Sequence, residues 1–171
     1  MLRELLGRYL GRDPRELSFV TGEHGKPSLF ESPYESRASR SIVQPYAELH
    51  FNLSHSGGLA LYALTNLGPV GIDVEVHRRA INPLALARHV LDPSEIPRLE
   101  GLDATARQRE FLRVWTRREA ALKCRGMGLS NRVDGRDTPL WVKEGEVCGA
   151  AAMAIALHHE PREVTCWAWQ D

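Results

Sequence analysis

Residues 115–129 read Trp-Thr-Arg-Arg-Glu-Ala-Ala-Leu-Lys-Cys-Arg-Gly-Met-Gly-Leu, and this stretch constrains the rest of the chain more than any other. It forms the second half of a long helix predicted over residues 103–125, with Asp103 a favoured N-cap and Gly126 a natural stop. Phe111, Val114, Trp115 and Leu122 recur at helical spacing and make its packing stripe. Glu119 follows Trp115 by four residues and Lys123 follows Glu119 by four, so a carboxylate and an ammonium leave the buried face's edge together. On this helix alone, the two are an i,i+4 salt bridge. A second acidic pair upstream opens another reading.

That pair lies in Val70-Gly71-Ile72-Asp73-Val74-Glu75. On a strand, Val70, Ile72 and Val74 face one way while Gly71, Asp73 and Glu75 face the other. Two carboxylates on one strand face repel unless a cation sits between them. Such hard oxygen ligands suit Mg²⁺, which takes one or two carboxylates and fills its shell with water and phosphate oxygens. A solvated strand face is the plainer alternative for an isolated pair of this kind. With the helix carboxylate following, Asp73, Glu75 and Glu119 become candidate ligands of one metal.

The remaining chain alternates short elements with turns. Residues 2–10 make an amphipathic helix and 17–20 a strand, followed by a glycine-flanked turn carrying Lys26. Lys26 is either a solvated turn residue or a group that reaches a phosphate; the spacing is not that of a P-loop. Residues 28–47, rich in Ser, Pro and Arg, read as a loop. Residues 50–53 make a strand that runs into Ser54-His55-Ser56-Gly57-Gly58. Neighbouring Ser54 and His55 lack a nucleophile elbow, so they read as a polar turn or as holders of phosphate oxygens. Strands follow at 59–65 and 70–76, short helices at 82–91 and 93–99, a loop at 131–135, and strands at 140–143, 147–157 and 164–169. The alanine-rich part of 147–157 leans towards a strand packed closely on the long helix. This order of elements predicts an α+β fold with antiparallel sheet and one dominant helix.

Charge narrows the partners. Lys and Arg total 22, as do Asp and Glu, which argues against a general nucleic-acid binder. Residues 98–132 nevertheless hold nine Lys or Arg against four acids, a local surplus that favours anionic ligands or an acidic protein. Cys124, Cys148 and Cys166 are too widely spaced to suggest a disulfide framework or a zinc site. No apolar run reaches the length of a membrane span and no charged-then-apolar leader opens the sequence, so the expected compartment is the cytoplasm.

Four motifs taken together carry a family resemblance. They are Gly25-Lys26-Pro27, Asn52-Leu53-Ser54-His55-Ser56, Gly71-Ile72-Asp73-Val74-Glu75 and Trp115-Thr116-Arg117-Arg118-Glu119-Ala120-Ala121-Leu122-Lys123. In this order they resemble the 4'-phosphopantetheinyl transferases of the larger, Sfp-like type. The resemblance implies two similar α+β halves, here 1–65 and 66–171, with the active site between them. It also implies transfer of the phosphopantetheine arm of coenzyme A to a serine of an acyl- or peptidyl-carrier protein. Asp73, Glu75 and Glu119 would hold Mg²⁺, and Glu119 is the candidate general base. Lys123 would contact the pyrophosphate. Ser54, His55 and Lys26 would bind coenzyme A, with His55 at the 3'-phosphate and Lys26 at the nucleotide end. Carrier domains are acidic around their serine, so residues 82–99 offer a docking surface in Leu86, Val90, Leu91, Arg88 and Arg98. The plainer reading packs those apolar residues on the sheet.

Two departures from the family pattern stand out. The helix motif commonly reads W-x-x-K-E, whereas position 118 is arginine. Family members also carry a further N-terminal stretch before the helix at 2–10, so the first half is expected to lack its N-terminal part. Other functional classes are a weakly active or non-catalytic protein that binds carrier or coenzyme A, and a metal-dependent phosphohydrolase.

Overall fold

The structure, a computed structural model, describes residues 1–30, 49–77, 82–128 and 138–168. Within these, the chain runs through helix α1 (Leu2–Leu10), strands β1 (Phe19–Thr21), β2 (Pro27–Leu29), β3 (His50–Ser56), β4 (Leu59–Thr65) and β5 (Val70–Val76). Helices α2 (Pro83–Val90), α3 (Ile96–Glu100) and α4 (Ala104–Arg125) follow, then β6 (Trp141–Val147) and β7 (Ala151–Leu157). Strand pairing is antiparallel throughout: β1 with β2, β3 with β4, and β5-β7-β6 as a three-stranded sheet. The fold is the α+β class expected, with α4 dominant.

Helix α4 has both its predicted ends. The Asp103 carboxylate accepts from the N–H groups of Thr105 and Ala106, and Gly126 closes the helix in the left-handed region at φ 68°. Phe111, Val114 and Leu122 are buried along the stripe, and Trp115 is half-buried with its ring stacked on Phe111. One end of α4 packs with Ala87, Leu91 and Leu99 of the short-helix region. The other end lies against β7, where Ala120 and Cys124 meet Ala154 and Ala156. Small residues on both sides let helix and sheet approach closely. Gly71 on β5 takes this to its limit, because a Cβ there would lie 1.9 Å from the Ala120 carbonyl oxygen.

Several boundaries differ from those read in the sequence, each for a local reason. Residues 147–157 are not one strand. Cys148 (φ 51°) and Gly149 (φ 65°) both turn left-handed, and the Ala150 N–H returns to the Val147 carbonyl. This is the geometry of a tight hairpin, built with a cysteine where asparagine or glycine is usual. Ser54–Ser56 belong to β3 rather than to a turn, which is confined to Gly57 and Gly58 before β4. Strand β1 is shifted to 19–21, β6 extends to Val147, and residues 28 and 29 pair in β2 instead of opening a loop. The strand expected at 164–169 does not form over residues 164–168, which are exposed. The bulk of the 28–47 loop and the 131–135 loop lie outside the described residues.

Much of the basic surplus is neutralised within the fold. Glu110 pairs with Arg98 at 3.1 Å and Arg113 at 2.8 Å, and Glu144 of β6 pairs with Arg113 and with Arg117 at 3.6 Å. Arg117 also meets Glu95, while Arg107 donates to the carbonyls of Leu99, Glu100 and Leu102. These arginines tie α3, α4 and β6 together.

Candidate active site

Strand β5 is an edge strand of its sheet, and several polar groups of its open edge find side-chain partners. Every second N–H finds a side-chain oxygen of β3: Ile72 N donates to Asn52 Oδ1 at 2.8 Å, Val74 N to Ser54 Oγ at 3.3 Å, and Val76 N to Ser56 Oγ at 3.2 Å. Two carbonyls, those of Val70 and Ile72, face lysines. Lys26 Nζ donates to Val70 O at 2.9 Å and Lys123 Nζ to Ile72 O at 3.2 Å. A side-chain ladder thus replaces the missing backbone ladder and fixes β3 beside β5.

The carboxylates project from β5 towards α4. Asp73 Oδ1 accepts from Lys123 Nζ at 2.6 Å and from Ser54 Oγ at 2.8 Å. Glu75 Oε2 accepts from Ser56 Oγ at 2.6 Å. The ion pair of Lys123 is therefore with Asp73 across the interface, not with Glu119 on its own helix. Asp73 and Glu119 are both buried, and Asp73 Oδ2 and Glu119 Oε1 have no hydrogen-bond partner among the described residues. Burial pushes the Glu119 carboxyl up to about 7, reinforced by the nearby Asp73 charge. Asp73 is also raised by burial, against the pull of Lys123.

Two orphaned, buried carboxylate oxygens in a repulsive environment are a poor resting state without a cation. Among the described residues, no three His, Cys, Asp or Glu side chains form a ready-made metal cage. Mg²⁺ does not require one, since it binds through one or two carboxylates and otherwise keeps water and phosphate oxygens. The donor set of Asp73 and Glu119, with Glu75 beside them, fits such an ion.

The other sequence candidates are placed as follows. Lys26 is half-buried, and its Nζ also donates to the Lys123 carbonyl at 2.7 Å, tying the β1–β2 turn to the last turn of α4. Burial holds its ammonium below the usual lysine range. Ser54 is buried on the β5 side of β3, while His55 alternates to the exposed side. His55 lines a cleft of about 530 Å³ with Glu75, Leu86, Phe111 and Trp115. Of the expected docking residues, Leu86 is exposed, Leu91 is in the core and Val90 packs against it.

Residues 69–170 match the family model of the 4'-phosphopantetheinyl transferase superfamily. The chain belongs to that superfamily. It is 36% identical over 129 residues to a putative 4'-phosphopantetheinyl transferase of Synechocystis sp., covering 75% of this chain and 48% of the relative. It is 37% identical over 130 residues to the 4'-phosphopantetheinyl transferase HetI of Nostoc sp., covering 76% of this chain and 50% of the relative. Against the 4'-phosphopantetheinyl transferase Sfp of Bacillus subtilis the identity is 24% over 190 residues, across 100% of this chain and 77% of that protein. The chain spans about half the length of the Synechocystis and Nostoc relatives.

Within this superfamily member, three parts of the site had no role assigned from sequence. Asn52 and Ser56 are rungs of the ladder, and Gly71 allows the helix to approach. The signal was present as N-x-S-x-S at the strand period, matched by G-x-D-x-E at the same period. The arginine at position 118 also finds a use, since it donates to the Val90 carbonyl at the end of α2.

Proposed function

We propose that this chain transfers the 4'-phosphopantetheine arm of coenzyme A to a serine hydroxyl of an acyl- or peptidyl-carrier protein in the cytoplasm, releasing adenosine 3',5'-bisphosphate. The observation that carries this reading is the set formed by buried Asp73 and Glu119 and half-buried Lys123, with two carboxylate oxygens left unpartnered among the described residues. Phosphoryl transfer asks a protein for positioning and charge neutralisation more than for covalent help. Mg²⁺ bound at Asp73, Glu75 and Glu119 would supply Lewis-acid stabilisation of phosphate charge.

The chain's own residues do the rest. Lys123 holds Asp73 in place and puts a positive charge beside the carboxylates. Glu119, or a water that it orients, is the candidate to take the serine proton. His55 lies exposed at the cleft, where it is available to the 3'-phosphate, and Leu86, Phe111 and Trp115 give that cleft an apolar part of its lining. In this reading residues 1–65 supply Lys26, Ser54 and His55 to coenzyme A, and 66–171 supply Lys123 and the carboxylates.

The test is to incubate the protein with coenzyme A, Mg²⁺ and an apo carrier protein, then weigh the carrier by mass spectrometry. A gain equal to one phosphopantetheine, absent in chelator, is the expected result. Binding of the carrier without a mass gain identifies a non-catalytic binder. Loss of phosphate from coenzyme A without transfer identifies a phosphohydrolase.

A further inference from the structure

We infer that Arg118 is a positioning residue, which fixes α2 as one wall of the cleft beside Glu75 and so sets how a carrier protein is received. The inference rests on the transferase reading and deepens it. Helix α2 is short, eight residues from Pro83 to Val90. Its buried contacts with α4 are apolar: Ala87 and Leu91 share a cluster with Phe111, Leu112 and Val114, and Leu84 and Val90 pack against it. Apolar contact has no direction, so by itself it lets a two-turn helix roll or slide. Arg118 supplies the direction. Its Nη1 donates to the Val90 carbonyl at the C-terminal end of α2, where carbonyls have no partner inside the helix. A cation there also faces the negative end of the helix dipole. The neighbouring arginine works on the same corner, because Arg117 pairs with Glu95. Consecutive arginines of α4 thus hold both ends of the turn that leads from α2 to α3, with Leu91 buried between them.

The place of α2 matters through one side chain. Among the residues that line the cleft of about 530 Å³, Leu86 alone comes from α2; the others belong to β3, the turn after it, β5 and α4. Those elements are fixed to one another by the Lys123–Asp73 pair and by the packing of Ala120 and Cys124 on β7. The α2 wall is therefore set separately. A roll of α2 would move Leu86 and change the cleft's width while Asp73 and Glu119 stay where they are. The groups assigned to coenzyme A, Lys26, Ser54 and His55, all lie on other elements. Arg118 should thus act on the carrier, through Leu86, and leave coenzyme A binding alone.

The experiment uses Arg118→Met, which keeps the length of the side chain and removes the donor, together with Leu86→Ala and the double variant. Hydrogen exchange of the chain without substrate reads the position of α2. Amides of α2 should exchange about tenfold faster or more in Arg118→Met, because a hydrogen bond from a charged group is lost, while those of β7 keep the parent's rates. In transfer assays Arg118→Met should raise KM for the carrier several-fold and leave KM for coenzyme A unchanged. Added to Leu86→Ala, it should cost little more, since both changes act on one contact. Should Arg118→Met fail to fold, Arg118→Gln, too short to reach the carbonyl, is judged by the same readings. Unchanged exchange in α2 overturns the inference, as does an equal acceleration in β7, which would mean a loss of global stability. A raised KM for coenzyme A would put the guanidinium on the substrate, and additive losses in the double variant would take its effect away from Leu86; either overturns it. A parent that modifies no carrier removes the transferase reading and the carrier half of this inference, and the exchange rates then decide alone whether Arg118 fixes α2.

Discussion

Lys123 pairs with Asp73 at 2.6 Å, while Glu119, one turn back on its own helix, makes no ion pair with it and has an unpartnered Oε1 among the described residues. The two buried carboxylates are therefore unequal in energy. Neutralising Glu119 relieves a charge that the fold desolvates, whereas neutralising Asp73 deprives a half-buried ammonium of its counter-ion. In Mg²⁺-free buffer at neutral pH, Glu119→Gln should raise Tm and Asp73→Asn should lower it. Each kcal/mol is worth about 2–4 °C in a chain of this size. Both variants should abolish transfer. Calorimetric melts in chelator check the signs, and equal falls in both would remove the asymmetry.

Gly71 sets how closely α4 sits on β5. A Cβ there would lie 1.9 Å from Ala120 O and 2.4 Å from Cys124 N, both backbone atoms that no rotamer change can move. Gly71→Ala should cost about 1–3 kcal/mol or more, because a packed helix must shift to admit it. The denaturant midpoint should fall with an unchanged slope. Transfer should fall too, since the shift separates Lys123 from Asp73. A midpoint equal to the parent's would show that the helix has slack.

Which parts were legible follows from where the decisive physics lies. The ends of α4 were readable because Asp103 and Gly126 act within a few residues of themselves. The β5 pattern was readable because strand alternation is local. The partner of Lys123 was not, because helical spacing offered Glu119 while tertiary packing brought in Asp73, fifty positions earlier. The hydrogen bond from Ser54 to Asp73 was hidden for the same reason, the carboxylate being on another strand. The hairpin at Cys148 was missed because its backbone is left-handed at a residue that rarely adopts it. The strand expected at 164–169 rested on local β-propensity, and β5-β7-β6 closes its sheet without it.

His55 and Lys26 should separate in kinetics. His55 is exposed, and its removal should cost one hydrogen bond to a charged group, raising KM for coenzyme A about tenfold or more with kcat little changed. Dephospho-coenzyme A, which lacks the 3'-phosphate, should be insensitive to His55→Ala. An equal loss with both substrates would take His55 off the phosphate. Lys26→Ala strips the donor from the Val70 and Lys123 carbonyls, so it should lower Tm, which His55→Ala should not.

The arginine network gives a pH signature. Arg113, by its hydrogen bond, holds the Glu110 carboxyl below its usual range, and Arg98 and Arg117 add to this. A depressed carboxyl contributes stability that is whole above its unfolded value near 4.5 and is lost as pH falls through the folded one. Glu110→Gln should thus be less stable than the parent at neutral pH, by roughly 0.5–1 kcal/mol for so partly exposed a network. The two should converge as acid protonates Glu110. Urea denaturation at neutral pH and well below pH 4 checks this, and a gap that stays constant would assign the effect to packing.

On the transferase reading, the proposed carrier surface narrows to Leu86 and Arg88. Leu91 is in the core with Val90 against it, and Arg98 is drawn towards Glu110, which it shares with Arg113. Leu86 is exposed on α2 and reaches the cleft that holds Glu75 and His55. Arg88, two residues on, is exposed and meets the exposed Glu100 at 3.0 Å, a pair worth little to the fold. Arg88→Glu should therefore fold normally while reversing the charge presented to a carrier that is acidic around its serine. Such a reversal acts mainly on the association rate and is screened by salt, whose Debye length is about 10 Å at 0.1 M. Carrier modification should slow several-fold at low ionic strength and approach the parent's rate at high ionic strength, with KM for coenzyme A unchanged. Leu86→Ala, which removes apolar contact, should slow modification at every ionic strength. Unaltered modification by Arg88→Glu at low ionic strength would place the docking surface away from α2.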